Sequence, residues 1–206
     1  QQAGFKAFIV GGAVRDLLLG IKPKDFDVAT DATPEEVKRL FRRAFIIGRR
    51  FQIVHVMFGQ DLIEVTTFRG SSTDGAPKDE HGRVLRDNTF GEQHEDAVRR
   101  DFTINAMYYD PTHQTVHDYH GGIEDIRHKT LRIIGAPEAR FREDPVRLLR
   151  VVRFAAKLNF TIAPDTRAPM AVMAPLINNV PAARVFDEML KLLMSGHALA
   201  CLRQLR

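Results

Sequence analysis

Two carboxylates two residues apart, Asp25 and Asp27 in "KPKDFDVAT" (22–30), are the first chemical signal in the sequence. The stretch reads as a short β-strand. Alternate strand side chains share a face, so both acids fall on one face, with Phe26 and Val28 on the other. Like charges side by side repel, so that face is either bathed in solvent or shared by a cation. Magnesium takes oxygen ligands and is commonly held by one or two carboxylates plus substrate phosphates. A pair of such ions, roughly 4 Å apart, suits in-line phosphoryl or nucleotidyl displacement. A third acid is expected on a neighbouring strand. Glu64 in "LIEVTTF" fits, with Ile63 and Val65 on the opposite face, although alone it also fits a solvated edge strand.

Three further stretches carry residue types suited to anionic substrates. Gly11-Gly12-Ala13-Val14-Arg15-Asp16 follows the apolar run Ala7–Val10 and precedes Leu17-Leu18-Leu19. A strand, a glycine pair and a helix present backbone N–H groups and a helix N-terminus to a phosphate. A tight turn with a backbone need for glycine explains the same residues. In "RRDFTINAMYY" (99–109), Arg100 beside Asp101 and Asn105 suits a triphosphate and ribose hydroxyls, and Asp101 could equally serve a metal. Cations ending a helical stretch also suit the helix dipole. In "REDPVRLLRVVR" (142–153), Pro145 suits the first helical position with Asp144 as N-cap. Arg147, Arg150 and Arg153 then recur every three residues on the face headed by Asp144, beside an apolar stripe of Val146, Leu149, Val152 and Ala156. An ordinary capped helix explains this pattern. So does a site in which Asp144 and Arg147 read a base edge while Arg150 and Arg153 neutralise phosphates.

The elements that must position these groups fall into two regimes. Up to about residue 136, short β-rich runs alternate with brief helical stretches: strands are expected at 5–10, 26–29, 45–47, 54–58, 62–68 and 115–119. Thr33-Pro34-Glu35-Glu36 carries an N-cap, a proline at the first helical position and a capping-box glutamate. Beyond residue 136 the β signal gives way to helix-period segments broken by Pro164, Pro169, Pro175 and Pro181. The reading is an α+β head over 1–136 followed by a helical module over 137–206. Gly70 to Gly82, polar and rich in Gly and Ser, is expected to be a mobile loop.

The 206 residues, 44% hydrophobic and 27% charged, suit a soluble globular protein with a real core. The single cysteine, Cys201, excludes a disulfide framework and suits a reducing, cytoplasmic setting. No apolar run approaches the length of a membrane span, and no signal-peptide layout is present. The net charge of +4 points to an anionic partner, most clearly between Arg140 and Arg153, where five arginines meet two acids.

The segments "GGAVRDLLLG", "KDFDVAT", "IEVTTFR", "RRDFTINA" and "REDPVRLLRVVRFAAKL", in this order, resemble the class II tRNA nucleotidyltransferase/poly(A) polymerase family. Its head is similar to that of DNA polymerase β: a small mixed sheet with helices, followed by an all-helical neck. The resemblance implies that Asp25 and Asp27 bind catalytic Mg2+ as two ions, that Glu64 completes the acidic cluster, and that Asp101 belongs to the active site. It assigns nucleotide contacts to Gly12, Arg15, Arg100, Asp144, Arg147, Arg150 and Arg153, to which the reading of the residues adds Gly11, Asp101 and Asn105. "GRRFQIVHVMFG", the segment from Gly70 and "LRDNTFG" look like the bacterial poly(A) polymerase branch. The implied activity is addition of AMP from ATP to RNA 3′ ends without a template. The alternatives are a CCA-adding enzyme using CTP and ATP, and a catalytically silent RNA-binding module. Implied partners are ATP, RNA 3′ ends and RNA-decay or RNA-chaperone proteins, around a monomer. The text reads as a fragment, with further C-terminal RNA-binding domains expected to be absent from it.

Overall fold

The apolar run ahead of Gly11 forms strand β1 (Ala7–Val10) in a computed structural model that describes residues 1–48, 52–70 and 89–205. The chain then runs through α1 (Gly12–Leu18), β2 (Asp27–Thr30), α2 (Pro34–Leu40), β3 (Ala44–Ile47), β4 (Ile53–Phe58) and β5 (Asp61–Thr67). After the undescribed stretch 71–88 come α3 (Gln93–Arg99), a 3-10 turn at Thr103–Asn105, β6 (Met107–Asp110) and β7 (Thr115–Asp118). The seven strands form one mixed sheet in the order β3-β4-β5-β2-β1-β6-β7, in which only the β2–β5 pairing is parallel. One sheet face packs against α2 through Ala32, Val37, Ala44, Val54, Val56 and Val65. On the other face, Phe8, Val10, Ala29, Phe68, Ala97 and Tyr108 form a second cluster over β1, β2 and β6.

Helix α2 begins as the sequence dictates. The Thr33 hydroxyl accepts from the Glu36 backbone N–H at 3.3 Å, and the Glu36 carboxylate accepts from the Thr33 N–H at 2.8 Å, with Pro34 at the first helical position. Thr33→Ala removes this reciprocal cap. It is expected to cost about 1 kcal/mol, read as a lower urea midpoint at unchanged m-value.

The chain divides into two compact units. The first comprises Gln1–Arg100 and Asn105–Gly122; the second comprises Asp101–Ile104 and the chain from Ile123 onward. The second contains most of α4 (Gly122–Arg127), β8 (Thr130–Leu131), α5 (Pro137–Glu143), α6 (Val146–Leu158), β9 (Thr161–Ile162), α7 (Pro164–Arg167), α8 (Met170–Met173), a 3-10 stretch at Ala174–Asn179, α9 (Ala182–Leu193) and α10 (Ala198–Leu205). The composition shift at residue 136 therefore falls inside this unit. Residues 101–104 join it through the Phe102–Ile133 bridge and the bond from Thr103 N–H to the Arg132 carbonyl.

Several expected boundaries moved. Strand β2 starts at Asp27, so Asp25 lies before it, in irregular chain. The last β1 rung is Val10↔Asp27, after which Gly11, at φ 75°, turns the chain into α1 and leaves Asp25 no rung on that side. Strand β6, hidden inside "RRDFTINAMYY", was not expected. Neither was the parallel β8–β9 pair, whose second strand breaks the all-helical reading after residue 136. Asp144 caps nothing with its side chain: Pro145 occupies the N-cap of α6, and the Asp144 carboxylate turns to Arg184. Of the expected apolar stripe of α6, Val146, Leu149 and Val152 are buried and Ala156 is half-buried. The expected loop from Gly70 lies, beyond that residue, outside the described residues, as do parts of "GRRFQIVHVMFG" and "LRDNTFG". No helix among the described residues is long and apolar enough to cross a membrane.

Candidate active site

The parallel pairing of β2 with β5 sets Asp27 opposite Glu64, while antiparallel β1 sets Val10 opposite Asp27 from the other side. Paired residues on neighbouring strands point to one face, so the period-2 reading of Glu64 holds. Burial raises the Asp27 carboxyl above its usual value. The charges of Glu64 and then Asp25 add to this, and Arg100 pulls the other way. Asp27 is surface-exposed nonetheless, so it remains reachable by a ligand. An acid pushed up by two other acids is one whose charge a cation would satisfy. Glu64 also meets His55, its cross-strand partner on β4, with Nε2 to Oε1 at 3.4 Å. Among the described residues, no group of three or more His, Cys, Asp or Glu side chains is arranged to hold a metal by itself. The exposed Asp27 carboxyl, raised by burial and by the charges of Glu64 and Asp25, suits a divalent cation held by one or two carboxylates with its remaining ligands from substrate and water.

On the β1 side of Asp27, Gly11 carries the positive φ that glycine adopts without strain. A Cβ placed there would lie 3.5 Å from Arg100 Nη1 and 3.8 Å from the Asn105 carbonyl oxygen, so the turn, Arg100 and Asn105 are packed together. Arg15 is buried, at 4% exposure. Its Nε and Nη2 donate to Asp16 Oδ1 at 2.8 and 2.7 Å, and its Nη1 donates to Asn105 Oδ1 at 2.7 Å. Protein acceptors therefore hold this guanidinium, and with it the turn and Asn105.

Arg100 is held by a residue the sequence reading passed over. Asp96 is 2% exposed. Its Oδ2 accepts from Arg100 Nε at 3.2 Å, Arg100 Nη2 at 3.0 Å and the Tyr108 hydroxyl at 2.6 Å, and its Oδ1 accepts from the Arg69 N–H at 3.2 Å. Arg100 Nε also donates to the Tyr108 oxygen at 3.0 Å. Burial alone would raise the Asp96 carboxyl, but Arg100, the Tyr108 hydrogen bond and Arg69 together hold it below the usual range. Burial pushes the Tyr108 hydroxyl up, against Arg100. The spacing of Asp96 four residues before Arg100 on α3 was the readable signal.

In the second unit, the arginine column is engaged throughout. Arg147 Nη1 donates to the Arg140 carbonyl at 2.8 Å and to Glu143 Oε2 at 2.7 Å. Arg150 clamps Asp101 Oδ2 from Nε and Nη2, at 2.8 and 2.5 Å. Arg153 Nε donates to Glu188 Oε1 at 2.6 Å and lies 4.5 Å over the Phe154 ring. Glu188 on α9, buried at 4% exposure, was not expected from the sequence. Asp144 Oδ2 accepts from Arg184 Nη2 at 2.9 Å, while its Oδ1 is buried without a hydrogen-bond partner. Asp144, Val146, Arg150, Arg184, Glu188 and Lys191 line a cavity of about 260 Å³ within this unit. Asp144 and Arg150 share its wall; Arg147 and Arg153 are not part of the lining.

Two family models match the chain, the first crossing from the first compact unit into the second. Residues 7–132 match the model of the poly A polymerase head domain, and residues 159–206 match that of a probable RNA and SrmB-binding site of polymerase A. The chain is 54% identical to poly(A) polymerase I of Salmonella typhi over its whole length and 46% of that protein. It is 50% identical to poly(A) polymerase I of Haemophilus influenzae, again over its whole length and 47% of that protein. The crystal structure of Bacillus stearothermophilus CCA-adding enzyme in complex with CTP matches 98% of the chain and 47% of that protein, at 40% identity and a TM-score of 0.82. The chain thus spans about half the length of the curated relatives it matches.

Proposed function

The chain belongs to the poly A polymerase head-domain family, and from that membership we propose that it transfers AMP from ATP to RNA 3′ ends without a template. The observation that carries the reading is the rung of Asp27 and Glu64, beside Asp25 and next to the Gly11 turn and Arg100. Acids on one side and a glycine turn with an arginine on the other suit a metal-bound triphosphate. Greater identity to the poly(A) polymerases than to CCA-adding enzymes, 54% against 41% for that of Levilactobacillus brevis, favours adenylate alone.

In this reading Asp25 and Asp27 hold divalent metal, magnesium as two ions, with Glu64 completing the acidic set. The bound metal would lower the pKa of the RNA 3′-hydroxyl and steady the charge on the departing pyrophosphate. Arg100 keeps its positive charge beside the Gly11-Gly12 turn, where the triphosphate accepts N–H donors. Arg15 acts by fixing that turn and Asn105. Asp101, clamped by Arg150, is assigned the ribose or a metal. Asp144 with Arg147 is assigned the adenine edge, and Arg153 braces the same helix through Glu188. Residues 137–206, helical apart from β9, are assigned the role of the neck. An RNA backbone is held by basic surface without base-specific contacts. A cytoplasmic monomer meeting RNA-decay proteins completes the proposal.

The test supplies the full-length protein with Mg2+, a short RNA primer and each nucleoside triphosphate separately. A long ladder with ATP and little product with CTP is the expected result. Two C additions followed by one A would assign the CCA-adding reaction instead, a reading favoured by the similarity to the CTP-bound structure. No addition with any nucleotide would leave the silent module.

A further inference from the structure

The register of the sheet continues the catalytic rung outward in one direction only. Asp27 on β2 is followed by Glu64 on β5, His55 on β4 and Phe45 on β3, each the ladder partner of the one before. Partners across a ladder share a face, so these four side chains form one row on the sheet face that carries Asp27. Toward β1 and β6, that same face is filled: Val10 pairs with both Asp27 and Tyr108, and Phe8, Phe68 and Ala97 close over them. Toward β5, β4 and β3, the described residues leave it open. Phe45 is 57% exposed, Ile47 46% and Leu62 43%, while the His55 and Glu64 side chains are 24% and 45% exposed. The opposite face of the same strands is sealed by α2. Apolar and aromatic side chains thus face outward on strands whose other side supplies the core.

Exposed aromatic groups on an open sheet face have a known use: bases of single-stranded RNA stack on them. The position of the row argues for that occupant. If the triphosphate lies at the Gly11 turn and Arg100, on the β1 side of Asp27, the attacking 3′-hydroxyl must come from the other side. That side is the β5–β4–β3 face. Three strand spacings separate Phe45 from the strand of Asp27, about 14 Å, a span suited to the last few nucleotides of a strand ending at the metal-binding acids. We infer that Phe45 and His55, flanked by Ile47, Met57 and Leu62, form the platform on which the 3′-terminal bases of the RNA primer stack. The inference rests on the proposed transfer reaction for its direction of approach. It adds a residue, Phe45, that no sequence motif marked.

The test uses the full-length protein and an oligoadenylate carrying 2-aminopurine near its 3′ end, whose fluorescence falls when the base stacks. Binding is followed in EDTA without ATP, and transfer is followed separately with Mg2+ and ATP. Phe45→Ala is expected to raise the KM for primer about tenfold, the lower range for loss of one base–aromatic stack, with the KM for ATP and the Tm unchanged. The fluorescence quench on binding is expected to weaken in parallel, and Phe45→Trp is expected to restore both. An unchanged primer KM and quench in Phe45→Ala, or a Trp variant no better than Ala, overturns the platform. The platform and the reaction fail separately. A protein that transfers AMP indifferently to Phe45 lacks the platform, whereas one that transfers nothing yet quenches in a Phe45-dependent way has the platform and lacks the reaction.

Discussion

Asp27→Asn is expected to abolish nucleotidyl transfer, by on the order of 10³-fold or more in kcat, while leaving the protein folded and slightly more heat-stable at neutral pH. The two halves of this result come from one cause. Asp27 faces Glu64 across the β2–β5 rung with Asp25 close by, and its burial and these two charges raise its carboxyl above the ordinary value of 3.8. A carboxyl whose folded-state pKa is raised binds its proton more tightly in the folded protein than in the unfolded chain. Its contribution to stability is therefore undiminished at low pH and declines as pH rises from 3.8 through the raised value. Asparagine, isosteric and uncharged, has no such decline. The variant should melt above the wild type at pH 7, and the difference should close as pH falls toward 4. In the proposed reaction the same missing charge removes a metal ligand, so activity goes as stability comes. Calorimetry between pH 4 and 7, paired with primer extension in Mg2+, reads both. Near-normal incorporation by Asp27→Asn would remove the metal role of the rung, and a melting point below the wild type at every pH would remove the repulsion argument.

What could be read from the sequence was what depends on near neighbours. Thr33, Pro34 and Glu36 define their helix start within four residues, and the structure forms that cap. The alternation around Glu64 gave its face, because a strand's period needs no partner to be known. Asp25 shows the limit of the same logic. Its place depends on where β1 runs out at Val10, a fact about a strand some fifteen residues earlier. The arginines of α6 show a second limit. Their three-residue spacing is local and legible, but the acids that engage them are Glu143 on the preceding helix, Asp101 and Glu188. A charge pattern read along one helix shows the spacing of its arginines but not the acids that orient them. Two-residue strands such as β8 and β9 carry too few side chains to show a period at all. The Phe45 row is a register fact spread over four strands, and no window along the chain contains it.

Asp96→Ala is expected to be the most destabilising single change in the first unit, costing about 3–5 kcal/mol and lowering the Tm by roughly 10 °C. The carboxylate is the common acceptor for Arg100, Tyr108 and Arg69 and is 2% exposed. Removing it leaves the Arg100 charge, itself largely desolvated, without its carboxylate, and that unpaired cation rather than the lost attraction sets the size of the effect. Two measurements separate this account from simple loss of packing. First, Asp96 is held below the usual carboxylate range, so its stabilisation is fully present above pH 3.8 and is lost as pH falls through the depressed value. The penalty of the Ala variant should stay constant from neutral pH down to about 4 and shrink only below that. Second, Asp96→Ala combined with Arg100→Met removes the cation along with its partner. The double variant should be more stable than Asp96→Ala alone, a coupling that a cavity left by a small side chain does not produce. Because Arg100 reaches the Gly11 turn from this anchor, the single variant should also lose kcat/KM for ATP beyond what its unfolded fraction explains. A penalty under about 1 kcal/mol, or a double variant no more stable than the single, would show that Tyr108 and the surrounding core position Arg100 without Asp96.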